Sequence, residues 1–229
     1  MWAAWLAAFA TLASACATVP SSRTALSPCP GATGDAVAWS DYFPPTIFDV
    51  REDRHNEPML KWFGADLAAM GEPVLSCPRA GQTEAYRLLL LRSWQPPWAI
   101  RIERAADGAE LQATQLSAER TEDVAARPTE RRLRHLSASE WERLAAAVRA
   151  ATFWTLSAPE TTLGNDGQTW VIEGLRAGQY HVVERWEPRD GQAYRALGAV
   201  FLELAGLGAL AVIPPPHFVP PVGREDLKP

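Results

Sequence analysis

Two strand-like segments joined by a tight turn constrain the fold of this chain most strongly. Residues 168–175 and 179–186 are rich in aromatic and β-branched side chains, and the turn signal Arg176-Ala177-Gly178 lies between them. So short a connection can join only antiparallel neighbours. The two segments therefore predict a β-hairpin.

The register of this hairpin decides which side chains share a face. A type I turn with Gly178 in a G1 bulge places Glu173 opposite His181. A two-residue turn of Ala177 and Gly178 instead places Gly174 opposite His181. We expect the first register, because alanine is disfavoured at the positive φ that the second one requires.

The first register brings Glu173, His181 and Arg185 onto one face and pairs Arg185 with Thr169. One interpretation is a salt-bridged face of the hairpin that points to solvent. The alternative is a polar cluster in which the carboxylate raises the pKa of the histidine and supports acid/base catalysis.

Further helices and strands are predicted from side-chain periodicity. A helix over residues 57–70 has Asn56 as its N-cap, and the capping box between Ser137 and Glu140 opens a helix that ends near residue 151. A last helix is predicted over 190–204, and strands over 86–91, 99–104, 111–116 and 129–136. The order predicts a single α+β domain in which helices cover an antiparallel sheet.

The N-terminal segment has the features of a secretion signal. Residues 1–15 carry no charged side chain and form an apolar run too short for a transmembrane helix, which needs about 20 residues. This run ends in Ala13-Ser14-Ala15 and is followed by Cys16. These four residues resemble the lipobox of bacterial lipoproteins, although that family usually has leucine where this chain has Ala13. The resemblance implies that Cys16 is fatty-acylated and becomes the mature N-terminus. The alternative is ordinary secretory cleavage at the A-x-A pattern that ends at Ala17.

These features divide the chain into four parts. They are a signal peptide (1–15), a lipidated flexible tether (16–36), the α+β domain (37–212) and a proline-rich extended tail (213–229). The resemblance to lipoproteins implies anchoring to the outer membrane, facing the periplasm, through the lipid. The alternative is a soluble periplasmic or secreted protein.

Two further cysteines remain after Cys16. Cys29 and Cys77 both lie beside prolines, and an even pair in an oxidising compartment predicts a disulfide between them. Two unpaired thiols are the alternative.

Charge and motif content argue against several classes of function. The formal net charge is −5, so the chain lacks the broad positive field of a nucleic-acid-binding protein. The four histidines lie far apart in sequence without ligand spacing, and we expect neither a metal nor a cofactor.

The hairpin region is also similar to a segment of a bacterial protein family of unknown function. The shared pattern is a DG turn, W-x-x-E-G and Y-H-x-V-x-R-W, which here spans Asp166 to Trp186. This resemblance implies no activity. We therefore expect a noncatalytic envelope lipoprotein that serves as a binding or assembly module, possessing an envelope protein partner of unknown identity. The alternative is a hydrolase-like envelope enzyme that uses Glu173, His181 and Arg185.

Overall fold

An antiparallel sheet organises the structure, a computed structural model that describes residues 37–45, 47–48, 53–77, 82–93, 95–105, 108–117, 125–158 and 167–211. Within these residues there are six strands, β1 (Glu84–Arg92), β2 (Gln95–Ala105), β3 (Gly108–Leu116), β4 (Pro128–Leu136), β5 (Gln168–Arg176) and β6 (Gln179–Trp186). Their order across the sheet is β4-β3-β2-β1-β5-β6, and every neighbouring pair is antiparallel.

Helices cover both faces of the sheet. They are α1 (Asp53–Met70), α2 (Ala138–Ala150) and α3 (Ala193–Leu204). The predicted α+β class with a single domain is confirmed. The signal peptide, the tether and the tail that we predict lie outside the described residues. No helix in the described part of the chain is both long and apolar enough to cross a membrane.

α2 and α3 pack together on one face of the sheet and bury the larger hydrophobic cluster. Their apolar stripes meet the alternate side chains of the central strands, so the cluster includes Tyr86, Leu88, Leu90, Ile100, Ile102, Trp141, Leu144, Val148, Trp170, Leu197 and Phe201. Gly198 permits the close approach of α3, since a Cβ at this position would overlap the ring of Trp170.

α1 covers the opposite face. Phe63, Leu67 and Met70 pack against Leu89 of β1 and Val171 of β5 in a second cluster. Burial of these helical side chains explains why α1 tolerates an internal proline, because tertiary packing supplies most of the stability of such a helix.

The helix starts differ from the predictions at two of three sites. The capping box of α2 is confirmed, with the Glu140 amide donating to Ser137 Oγ at 3.3 Å. α1 begins at Asp53, so Asn56 is not its N-cap and Pro58 lies inside the helix. α3 begins at residue 193 and not at 190, because Gly191 has a φ of +81°, which interrupts a right-handed helix.

The β5–β6 turn also corrects a prediction. Ala177 and Gly178 have φ values of +50° and +78°, as in a two-residue type I′ turn. Gly174 therefore pairs with His181, and the predicted pairing of Glu173 with His181 is wrong. The Ala177 amide donates to the carbonyl of Thr83 at 3.1 Å, which helps to hold this turn against the start of β1.

Candidate functional site

A row of polar side chains crosses the face of the sheet that α1 covers. Glu173 of β5 pairs in register with Arg87 of β1, Arg87 with Arg101 of β2, and Arg101 with Gln112 of β3. The side chains of Arg87 and Glu173 are completely buried, whereas that of Arg101 is 11% exposed. Two adjacent arginines in a buried row require a further anion close to both of them.

Glu72 supplies that anion from the end of α1. The helix ends in a Schellman motif, in which Gly71 has a φ of +69° and the Glu72 amide donates to the Leu67 carbonyl at 3.0 Å. This turn directs the Glu72 carboxylate toward the polar row. Arg101 Nε donates to Glu72 Oε2 at 2.9 Å, and Arg87 Nη1 lies 3.4 Å from the same oxygen.

Neutral groups satisfy the remaining positions around Glu72. Gln112 Nε2 donates to Glu72 Oε1 at 3.1 Å, and Tyr42 donates its hydroxyl to the Glu72 carbonyl at 2.7 Å. Burial raises the pKa of Tyr42 to about 12, so its hydroxyl stays protonated as a donor. Arg87 Nη1 also donates to the Pro73 carbonyl at 2.7 Å.

Glu173 forms the second anionic centre of the row. Arg87 Nε and Nη2 lie 2.7 and 2.6 Å from Glu173 Oε2, and Tyr180 donates its hydroxyl to Oε1 at 2.9 Å. Burial raises the pKa of the Glu173 carboxyl, and Arg87 opposes that change. Burial would lower the pKa of Arg87, but Glu173 and Glu72 hold it above its usual range.

We call Glu72, Arg87, Arg101, Gln112, Glu173 and Tyr180 the buried polar network. Each carboxylate oxygen of Glu72 and Glu173 accepts at least one hydrogen bond from the protein itself. The network joins the end of α1 to five strands of the sheet. The network therefore holds these elements together. Neither carboxylate has an oxygen without a hydrogen-bond donor from the protein.

His181 lies on the other face of the sheet from Glu173. Its ring centroid is 5.1 Å from that of Phe153 in an edge-to-face arrangement, and it also packs on Trp154 at 6.2 Å. Burial among these rings lowers the pKa of His181. The structure therefore does not bring Glu173 to the histidine.

Arg185 shares the face of His181 but makes different contacts. Its Nη2 donates to the Ser157 carbonyl at 3.0 Å, and its guanidinium lies 5.5 Å from the centroid of the Tyr194 ring. It pairs across the hairpin with Trp170 and not with Thr169. The predicted cluster of Glu173, His181 and Arg185 is not assembled, because the observed register separates Glu173 from the other two.

A cleft of about 320 Å³ lies between the end of α2 and the start of α3. Its lining includes Thr152, Leu156, Arg185, Gln192 and Tyr194, but neither Glu173 nor His181. Within the described residues, no group of histidine, cysteine and carboxylate side chains is arranged to hold a metal ion.

The cysteines are described only in part. Cys77 is disulfide-bonded, and its partner lies outside the described residues, as do Cys16 and Cys29. The pairing of Cys77 with Cys29 stays a prediction, and so does acylation of Cys16.

The sequence pattern gave one signal for the buried polar network that our interpretation did not use. Arg87 interrupts the otherwise apolar segment of β1, and a charge at such a position requires a buried countercharge. Arg101 and Glu103 alternate with isoleucines, a pattern that is also typical of a strand with one face toward solvent. In the structure Arg101 instead binds Glu72 and Glu103.

Comparison of the sequence with known protein families finds no match, and comparison with curated proteins finds none either.

Proposed function

We propose that this chain is a noncatalytic lipoprotein of the bacterial cell envelope, and that its α+β domain is a binding or assembly module. In this proposal the lipid on Cys16 anchors the protein to the outer membrane, and the domain faces the periplasm. Its partner is another envelope protein and not a nucleic acid.

The observation that carries the noncatalytic part of the proposal is that each carboxylate oxygen of Glu72 and Glu173 accepts a hydrogen bond from the protein. Both carboxylates are also paired with the buried Arg87. His181, which could serve as a proton acceptor, lies on the opposite face among aromatic rings. The alternative, a hydrolase-like enzyme, would require these groups to converge on one cavity.

The apolar leader before Cys16 supports the proposed membrane anchor. The mass of the mature protein and its fractionation with membranes test it. We expect the mature protein to begin at an acylated Cys16 and to fractionate with outer membranes. Cys16→Ser should abolish both acylation and membrane association, whereas the nearby Ser21→Ala should preserve both. A mature N-terminus elsewhere, or membrane association that survives Cys16→Ser, would contradict the proposal.

The noncatalytic part is tested by complementation of a deletion strain. His181→Phe keeps an aromatic ring at this position but removes the only histidine of the hairpin as an acid or base. We expect this variant to reverse any phenotype that deletion of the protein produces. The amount of folded protein is matched to wild type by circular dichroism and immunoblotting. A folded His181→Phe protein that fails to complement would instead favour the enzyme.

A further inference from the structure

The two edges of the sheet differ in how they are protected. At β6, the Glu184 amide donates to the Ala158 carbonyl at 2.8 Å, so residue 158 occupies a backbone donor of this edge. Among the described residues, β4 is the terminal strand on the other side of the sheet, and β3 is the strand that it pairs with. An edge of this kind is a template for one more strand.

β4 is also the most exposed strand of the sheet. Of its nine residues only Leu136 is buried, and Leu133 is 74% exposed on the face that α1 covers elsewhere. Packing of the hydrophobic core therefore does not account for a leucine at this position.

Charged side chains often protect an edge strand, but the arginines of β4 are held away from it. Arg132 Nη1 donates to the carbonyls of Ala205 and Gly206 at 3.0 and 3.2 Å, beyond the last turn of α3. Arg134 Nη1 donates to the α3 carbonyl of Leu204 at 2.7 Å. Arg131 Nη2 donates to the Met70 carbonyl at 3.2 Å, at the end of α1. The three guanidinium groups therefore lie over the faces of the sheet and not along the outer backbone of β4.

The charge of β4 indicates which occupant fits. The strand contains Arg131, Arg132 and Arg134 against one carboxylate, Glu130, in a chain whose net charge is negative. A second copy of the chain fits poorly. Antiparallel pairing of two β4 strands about Leu133 would place Arg132 opposite Arg134, and like charges at opposing positions destabilise a strand pair.

We propose that β4 is a docking edge for an extended acidic segment of a partner protein, which adds to the sheet as a seventh strand. The inference rests on the proposed function and names the partner chemistry of that binding module. Residues two apart on the added strand share a face. The segment therefore carries an apolar residue opposite Leu133 and a carboxylate opposite Arg131.

A synthetic peptide tests the proposal directly. The probe is acetylated Thr-Glu-Thr-Val-Thr-Glu-Thr, titrated into the full-length ¹⁵N-labelled protein and followed by NMR. We expect shift changes confined to β4 and β3, slowed exchange of the outer β4 amides, and affinity about tenfold above that of the matching lysine peptide. An acidic peptide with N-methylated amides should lose binding, because strand addition needs its backbone donors.

Variants locate the binding edge. Arg131→Glu should reverse the preference, so that the lysine peptide binds better, and Leu133→Glu should weaken the acidic peptide without unfolding the domain. Arg143→Glu, a matched charge reversal on α2 at a side chain that is 49% exposed, should leave binding unchanged.

Four results would overturn the docking edge. They are no binding of the acidic peptide at millimolar concentration, equal binding of both peptides, undiminished binding after N-methylation, and a β4-to-β4 dimer of the protein itself. Such a failure is distinguishable from failure of the proposed function, because acylation of Cys16 and complementation by His181→Phe do not depend on β4.

Discussion

Replacement of Arg87 by methionine tests the energetic role of the buried polar network. Arg87→Met removes the charge and five donors but keeps an apolar side chain of similar length. Glu173 then retains only the Tyr180 hydroxyl, and an unpaired carboxylate remains in a fully buried site. Breaking a buried pair in this way costs about 3–5 kcal/mol, a large part of the roughly 5–15 kcal/mol stability of a typical protein.

Replacement of the partner carboxylate should lower the free energy of unfolding by less. In Glu173→Leu the guanidinium of Arg87 still binds Glu72 and the Pro73 carbonyl, so the remaining charge keeps partners. The double variant Arg87→Met/Glu173→Leu removes both charges, and we expect it to be more stable than Arg87→Met alone. Urea denaturation of the four proteins gives the free energies of unfolding for a double-mutant cycle.

The loss should also depend on pH. Without Arg87, burial leaves the folded-state pKa of Glu173 above its unfolded value, so the folded protein binds more protons. The associated stability is present below the unfolded pKa and is lost as pH rises through the folded pKa. The deficit of Arg87→Met relative to wild type should therefore be smaller at acidic pH than at pH 8. A deficit independent of pH, together with no coupling between the two replacements, would refute this account.

Three other predictions address the hairpin and the cysteines. Ala177→Gly should raise the free energy of unfolding by about 1 kcal/mol in urea denaturation, because glycine adopts positive φ without the steric cost that alanine bears; a destabilised variant would contradict it. In NMR titration, His181 should show a depressed pKa that Glu173→Gln leaves unchanged, since the two lie on opposite faces, and a pKa that moves with this replacement would contradict the observed register. Because the pKa is lower in the folded state, protonation of His181 destabilises the fold as pH falls below its unfolded value near 6.5. Nonreducing peptide mapping should link Cys77 to Cys29, and a Cys77–Cys16 peptide would show that pairing to be wrong.

The sequence was sufficient for the elements of the fold because their signals are local. The apolar stripe of α2, the capping box at Ser137 and the strand-like segments around the hairpin each depend on residues close together in the chain. An order of helix, successive strands, helix, hairpin and helix leaves few alternatives to an α+β domain.

The buried polar network depends on contacts that sequence patterns do not specify. Glu72 and Arg101 are 29 positions apart, and Arg87 and Glu173 are 86 positions apart. The second pair meets because β5 lies beside β1 in the sheet, and the first because α1 ends over the same face. Polar side chains that alternate with apolar ones then resemble a solvent face, although α1 and Glu72 cover them.

The hairpin register shows how a tertiary contact overrides a local preference. The observed turn places Ala177 in the left-handed region, at a cost of about 1–2 kcal/mol. It also puts Tyr180 on the α1 face, where its hydroxyl binds Glu173. The register that we expected would turn Tyr180 to the other face, because a shift of one residue exchanges the two faces of a strand. A hydrogen bond to a charged group contributes about 1.5–3 kcal/mol, and a buried carboxylate that loses its donor pays a further desolvation cost. The contact with Glu173 therefore outweighs the strain at Ala177, and the turn follows the register that the network requires.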